Sequence, residues 1–173
     1  VAILSEGIGR DLSLGELELE RVRISAVLHD IGKLGIPEQI LRKDGRLTPE
    51  EQLVIRKHPE IGYRILESVK ELADVNRCIL LHHEQFDGTG YPHAKRGPEI
   101  PLESRIIAVA DTYDAMTSDR PYRRSLGHAN AIAEIRRVSG RQLDPEVVRE
   151  FLKRYEGAPP VFPAFPSVFS RAN

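Results

Sequence analysis

Apolar residues recur at helical spacing along most of this chain, and short polar segments separate the apolar runs. We predict a helix that ends near His29, a second that begins after Thr48, and a break at His58-Pro59, because proline removes a backbone donor and clashes with the preceding turn. No region is rich in strand-forming residues, so the predicted fold class is all-α. The apolar face of the first helix comprises Leu17, Val22, Ile24, Val27 and Leu28. Further helices are predicted over residues 75–81, 102–116, 129–138 and 145–155.

Two segments lack this pattern. From Glu84 to Pro101, glycines and prolines interrupt the chain and predict a long loop, which in a compact domain is usually functional or disordered. From Gly157 onward, prolines are interleaved with phenylalanines, so this part cannot be helical and is predicted to be an extended arm or disordered. The predicted domain therefore spans residues 1–156, and a Pro/Phe-rich tail spans residues 157–173.

Composition restricts the class of protein. A length of 173 residues suits one domain with a real core, and a formal net charge of -1 gives no overall basic field, so we expect no DNA partner. No apolar run reaches the roughly 18 residues of a membrane span, and the N-terminus shows no leader pattern. The single cysteine, Cys78, is compatible with a reducing compartment. We therefore expect a cytoplasmic protein without a membrane segment in this chain.

Side chains that can bind metal ions stand at or near the ends of several predicted helices. They offer nitrogen and oxygen without sulfur, a set that suits Mn or Fe and is large enough for more than one ion. Taken singly, His58 could be a surface or capping histidine and Asp111 a helix-interior acid. Together they predict a multi-metal hydrolase site, in which Asp30 is the best bridging candidate because one carboxylate can bind two ions. The candidate ligands are His29, Asp30, His58, His82, His83 and Asp111.

Four segments carry a resemblance to a known family. They are residues 28–33 (LHDIGK), residues 58–62 (HPEIG), residues 82–92 (HHEQFDGTGYP) and residues 105–122 (RIIAVADTYDAMTSDRPY). In these segments the chain resembles the HD-GYP family of bacterial cyclic dinucleotide phosphodiesterases, a branch of the HD metal-dependent phosphohydrolases. The resemblance spans about residues 12–155 and leaves out the tail.

The resemblance implies an HD-domain helical bundle whose long Gly/Pro-rich segment is the GYP loop. It also implies two or three divalent metal ions, Fe or Mn, and hydrolysis of cyclic di-GMP to pGpG or GMP in second-messenger signalling. Asp30 and Lys33 would serve catalysis, with Lys33 stabilising negative charge on the phosphoryl oxygens. In this family the GYP loop is associated with binding of GGDEF domains, so GGDEF-domain proteins are candidate partners. The residues expected to contact substrate are Tyr91, Asp114, Arg120 and Arg123.

The start of the chain departs from the family pattern. The family has a further histidine on a helix upstream of the HD pair, and some members add a glutamate that binds a third ion, but residues 1–28 contain no histidine. We therefore expect a longer protein with an N-terminal regulatory domain and an upstream ligand. Three alternatives stay open: a sensor that binds the dinucleotide without cutting it, a module that binds GGDEF domains, and an HD phosphohydrolase for another nucleotide.

Overall fold

The computed structural model of this protein describes residues 1–119 and 124–161. All regular elements in these residues are helices, which confirms the all-α class. None of these helices combines the length and the apolar character needed to cross a membrane. The α-helices are α1 (Ala2–Asp11), α2 (Glu16–Leu28), α3 (Glu38–Leu41), α4 (Pro49–Ile55), α5 (His58–Leu66), α6 (Ala73–Leu81), α7 (Leu102–Thr117), α8 (His128–Val138) and α9 (Pro145–Tyr155). The 3-10 helices are Ile31–Gly35, Lys70–Leu72 and Gly97–Glu99.

Local sequence signals set the ends of α4. The Thr48 hydroxyl accepts a hydrogen bond from the Glu51 amide at 3.3 Å, and the Glu51 carboxylate accepts one from the Thr48 amide at 2.7 Å. This reciprocal pair satisfies amides that have no partner inside the helix. At the other end, α4 stops at Ile55 and α5 begins at His58, so the predicted break at His58-Pro59 is confirmed.

The inward face of α2 differs from the one predicted from the sequence. The apolar pattern predicts Leu17 and Val27 on the buried face, and this is wrong, because they are 81% and 66% exposed. The buried face carries Leu19, Val22 and Ala26, which are spaced three and four residues apart. Since α2 has apolar residues on nearly all sides, periodicity alone cannot distinguish the face that packs from the face that does not.

The core lies among α1, α2, α7, α8 and α9, and α7 is its central element. Ile106, Val109 and Ala110 on α7 have no exposed surface. The ring of Tyr113 lies 5.2 Å from the ring of Phe151 on α9, measured between centroids. Asp111 directly follows this buried run, so the packing of the core fixes the helix that presents it.

The candidate ligands come from helices that pack on one another beside α7. Helix α5 packs on α6 and on the 3-10 helix that follows Asp30, while α2 packs on both α6 and α7. His29 directly follows α2, His58 begins α5, and His82 directly follows α6. Helix ends that are far apart in the sequence therefore meet at one place.

Candidate metal centre

Four of the predicted ligands form one compact group. One ligand atom each from Asp30, His58, His82 and His83 can be chosen so that all lie within 4.8 Å of one another. His58 and His82 are buried, each with 2% of its surface exposed. Metal–nitrogen and metal–oxygen bonds of about 2.0–2.2 Å place the ligands of one ion roughly 3–4 Å apart, which is close to this spread.

Asp30 lies between two sets of ligands. Its Oδ1 atom is 3.3 Å from Nε2 of His58, and its Oδ2 atom is 3.3 Å from Nε2 of His29. The same His29 nitrogen lies 3.9 Å from Oδ1 of Asp111. The two carboxylate oxygens thus face different histidines, and His29 with Asp111 extends the group on one side.

Three of the histidines are held in the same way at the ends of helices. The Nδ1 atoms of His29, His58 and His82 lie 2.8, 2.7 and 2.6 Å from backbone carbonyl oxygens three residues earlier. These carbonyls belong to the last turns of α2, α4 and α6, where carbonyl groups lack a partner inside the helix. Because a carbonyl can only accept, Nδ1 carries the proton and Nε2 is directed at the site. The negative ends of three helix dipoles also converge there, which favours a cation.

The Nε2 atoms of His58 and His82 face each other at 3.3 Å. Since each ring donates from Nδ1, neutral rings have a lone pair on both Nε2 atoms. Two lone pairs at this separation repel each other unless a cation or a proton lies between them. The donor set therefore fits a divalent metal ion, while the identity and number of ions stay predictions.

The protonation states expected of His82, His83 and Asp30 suit metal binding. Burial lowers the pKa of His82 well below its usual value, and burial is also the main cause that lowers the pKa of His83 to about 3. Burial alone would raise the pKa of Asp30, but its close contacts with His29, His58 and Lys33 hold it far below its usual range. Burial opposes protonation of His29 too, yet its hydrogen bond to Asp30 leaves its pKa above the usual value. The neutral imidazoles of His82 and His83 and the ionised carboxylate of Asp30 are the forms that bind metals, whereas His29 must lose a proton to do so.

Lys33 reaches the same carboxylate from the other end of a short turn. Its Nζ atom donates to Oδ2 of Asp30 at 2.6 Å. A positive charge therefore lies at the edge of the candidate metal group, in contact with Asp30; the role of Lys33 toward phosphate stays a prediction.

Tyr91, from the long loop, covers part of the group. Its ring stacks on His83 with 4.9 Å between centroids and an angle of 22° between planes. The guanidinium of Arg56 lies 5.1 Å from the centroid of the Tyr91 ring. Burial raises the pKa of the Tyr91 hydroxyl to about 12, so the ring stays neutral. Nothing in the sequence pattern indicated Arg56, because an exposed arginine at the end of α4 has no motif of its own.

A cavity of about 290 Å³ opens beside the group. Asp111, Tyr91 and both residues of the His82-His83 pair line it. Asp114 is not among its lining residues in the described part of the chain, although it follows Asp111 by one helical turn. The predicted substrate contacts Arg120 and Arg123 lie outside the described residues.

Comparison with known proteins gives the family. The HD domain family matches residues 1–147. A curated relative, the cyclic di-GMP phosphodiesterase of Thermotoga maritima, is 44% identical over 155 residues, which cover 88% of this chain and 42% of that protein. The 3'3'-cGAMP-specific phosphodiesterase 1 of Vibrio cholerae is 39% identical over 149 residues, covering 85% of this chain and 34% of the relative. The chain thus spans less than half of the length of either relative.

Solved structures agree on the fold. The HDG"Y"P protein of Bdellovibrio bacteriovorus superimposes with a TM-score of 0.72 at 19% identity, over 90% of this chain and 50% of the other. At this identity the likeness concerns the fold alone. With the family match and the motifs at the site, it follows that the chain belongs to the HD domain family, in its HD-GYP branch.

Proposed function

We propose that this chain is the catalytic domain of a metal-dependent phosphodiesterase that hydrolyses cyclic di-GMP. The observation that carries the proposal is the position of Asp30, whose two oxygens each lie 3.3 Å from a different histidine. A carboxylate that bridges two ions needs its oxygens directed at separate sets of ligands. Asp30 with His29 and Asp111 would hold one ion. Asp30, His58, His82 and His83 would hold another.

The ions would be Fe or Mn, two or three in number. Nitrogen donors dominate the described group, whereas Mg²⁺ prefers oxygen ligands and keeps its waters. When bound, such ions supply an activated water and neutralise negative charge on the phosphate.

Lys33 would act beside them on the phosphate itself. Its ammonium group lies 2.6 Å from Asp30 Oδ2 and would contact a phosphoryl oxygen bound next to Asp30. As negative charge develops on that oxygen, the fixed positive charge of Lys33 would stabilise it without any further reorganisation.

The remaining predicted residues would hold the substrate outside the metal group. Tyr91 offers an aromatic face for a base or a hydroxyl for a phosphate, and Arg56 adds a nearby positive charge. Arg120 and Arg123 would contact phosphate or guanine, for which a planar guanidinium is suited. Asp114, one turn after Asp111 on α7, would contact the substrate or support the metal ligands.

The test uses the protein with its expected upstream helix, and compares the wild type with Asp30→Asn after removal of metals and reconstitution with Mn²⁺, anaerobic Fe²⁺ or Mg²⁺. Bound metal is counted by mass spectrometry, and pGpG and GMP are separated by chromatography. We expect turnover of cyclic di-GMP with Mn or Fe and much less with Mg. Asp30→Asn should lose at least one bound ion, with turnover reduced at least roughly a hundredfold.

A matched control is Glu60→Gln, which removes an exposed carboxylate from α5 without touching the ligands. This variant should keep its metal content and its turnover. Full metal content and turnover in Asp30→Asn would refute the bridging role. A metal-loaded wild-type chain that binds cyclic di-GMP without cutting it would refute the enzyme and favour the sensor.

A second candidate substrate is 3'3'-cGAMP, because a relative that is 39% identical over 149 residues is named as specific for it. It differs from cyclic di-GMP in one base, so the same metal group would serve both. The ratio of kcat/KM for the two dinucleotides, measured in the same assay, decides between them.

Other expectations from the sequence stay predictions. They are the binding of GGDEF-domain proteins by the GYP loop, an N-terminal regulatory domain in the full protein, and a cytoplasmic location. A pull-down with a purified GGDEF domain tests the first directly.

A further inference from the structure

Glu84 is a buried carboxylate that directly follows the metal-ligand candidate His83. It has 4% of its surface exposed, although glutamate is rarely buried without good partners. Its Oε1 atom accepts a hydrogen bond from the backbone amide of His93 at 2.7 Å, and its Oε2 atom accepts one from the amide of Lys95 at 3.0 Å. Both oxygens therefore bind the backbone of the loop that lies beyond Tyr91.

The loop also folds tightly against the backbone around Glu84. A Cβ atom added to Gly90 would lie 2.2 Å from the Gln85 amide nitrogen and 2.5 Å from Cα of Glu84, so only glycine allows this approach. The next residue, Tyr91, donates its amide to the carbonyl oxygen of His83 at 3.3 Å. Residues 90–95 thus wrap around Glu84, with Tyr91 between the two contact regions.

We propose that Glu84 is a positioning residue, which holds Tyr91 over the metal-ligand candidate His83 by binding the amides of His93 and Lys95. Hydrogen bonds to a charged acceptor are about twice as strong as neutral ones, and loss of one leaves a partly buried amide without a partner. The position of the Tyr91 ring depends on the conformation of the loop that contains it. Its stacking on His83 therefore depends on where Glu84 ties the loop down.

This role rests on the proposed phosphodiesterase function, since its consequence for turnover passes through Tyr91. A tyrosine held over His83 presents one surface to substrate and limits the movement of the imidazole beneath it. Glu84 itself binds the loop backbone with both oxygens, so its effect on the reaction is indirect.

The experiment uses Glu84→Gln, which keeps the shape of the side chain but replaces one acceptor oxygen with an NH₂ group. Hydrogen exchange at the amides of His93 and Lys95 reports on the loop without any need for activity. We expect exchange of at least one of these amides to become roughly tenfold faster or more. With metal content unchanged, kcat/KM for cyclic di-GMP should fall roughly tenfold.

Combination with Tyr91→Ala separates positioning from a general structural effect. If Glu84 acts through Tyr91, the double variant should be no worse than Tyr91→Ala by more than about twofold, because interacting sites are not additive. Losses that multiply, or loss of metal from Glu84→Gln, would overturn the proposal. So would unchanged exchange at both amides.

The matched control is Glu99→Gln. Glu99 accepts the amide of Arg96 at 3.1 Å in the same loop, but it is exposed. Its variant should speed exchange at Arg96 and leave kcat/KM within about twofold of the wild type. An equal kinetic loss in this control would overturn the specific role of Glu84.

Two further outcomes are informative. If Glu84→Gln does not fold, Tyr91→Ala alone must lower kcat/KM while His93 and Lys95 keep slow exchange, and a silent Tyr91→Ala overturns the proposal. If the wild type cuts no cyclic dinucleotide, the proposed function fails, and exchange at the two amides still decides whether Glu84 holds the loop.

Discussion

Substitution of Gly32 by alanine should displace His58 from the candidate metal centre. A Cβ atom at Gly32 would lie 1.8 Å from the backbone oxygen of His58 and 2.5 Å from the amide nitrogen of Gly62. A carbon–oxygen contact needs about 3.3 Å, so the two segments would have to separate by roughly 1.5 Å. Both obstructing atoms are backbone, and α5 must therefore shift as a unit.

The magnitude follows from how little displacement a metal ligand tolerates. Metal–ligand distances are held to within about 0.2 Å, far less than the shift that Gly32→Ala requires. We expect metal affinity to fall by roughly 10–100-fold, the range found when groups that orient ligands are lost. Overpacking should also lower the free energy of unfolding of the metal-free chain by about 1–3 kcal/mol.

The control lies three residues away in the same 3-10 helix. A Cβ atom at Gly35 would lie 2.8 Å from Cγ2 of Ile61, which is a methyl group of a partly exposed side chain and not a backbone atom. Gly35→Ala should therefore change the unfolding free energy by less than about 1 kcal/mol and leave metal affinity unchanged. Urea unfolding with a chelator and titration with Mn²⁺ measure both quantities. Equal behaviour of the two variants would refute the argument from close approach.

Three shorter predictions concern ionisable groups. The free energy of unfolding of the metal-free chain should decrease as the pH falls below about 6.5. The reason is that His82 and His83 stay neutral in the folded chain but bind protons in the unfolded chain. The decrease approaches about 1.4 kcal/mol per pH unit for each of the two rings. His29, whose pKa is raised, contributes stability that is already complete below 6.5, so urea titrations from pH 6.5 to 5 should show the loss from the other two. Mn²⁺ affinity, measured by calorimetry, should fall over the same range because the raised pKa of His29 lets protons compete with the metal for its nitrogen. Burial raises the pKa of Cys78 to about 12, so a disulfide reagent at pH 8 should leave the native thiol unmodified and react once per chain after unfolding.

Much of the fold could be predicted from the sequence because its signals are local. The cap at Thr48 and the break at His58-Pro59 depend on residues within a few positions, and the structure confirms both. The face of α2 could not be predicted, since Leu17 and Leu19 are equally apolar and only packing against α1, α6 and α7 distinguishes them. The pattern also gave no indication of α1, whose glycines weaken a helical reading.

Some parts of the candidate site could likewise be predicted from the sequence, and others could not. Adjacent pairs such as His29-Asp30 and His82-His83 are visible in the sequence because two ligands stand side by side. The contacts of Arg56 with Tyr91, and of Glu84 with the loop, join residues whose approach is decided by loop conformation. Neither contact has a spacing that marks it in the sequence.

The anchoring of the histidines explains why a few local motifs suffice to build so much of the centre. For His29, His58 and His82, the Nδ1 partner is a carbonyl three residues earlier, so each helix end sets the direction and the protonated nitrogen of its own ring. Long-range packing has to supply only the convergence of those helix ends. Close backbone contacts between the segments, such as that of Gly32 with His58, fix that convergence. Substitutions at such contacts should therefore alter metal binding even though they remove no ligand.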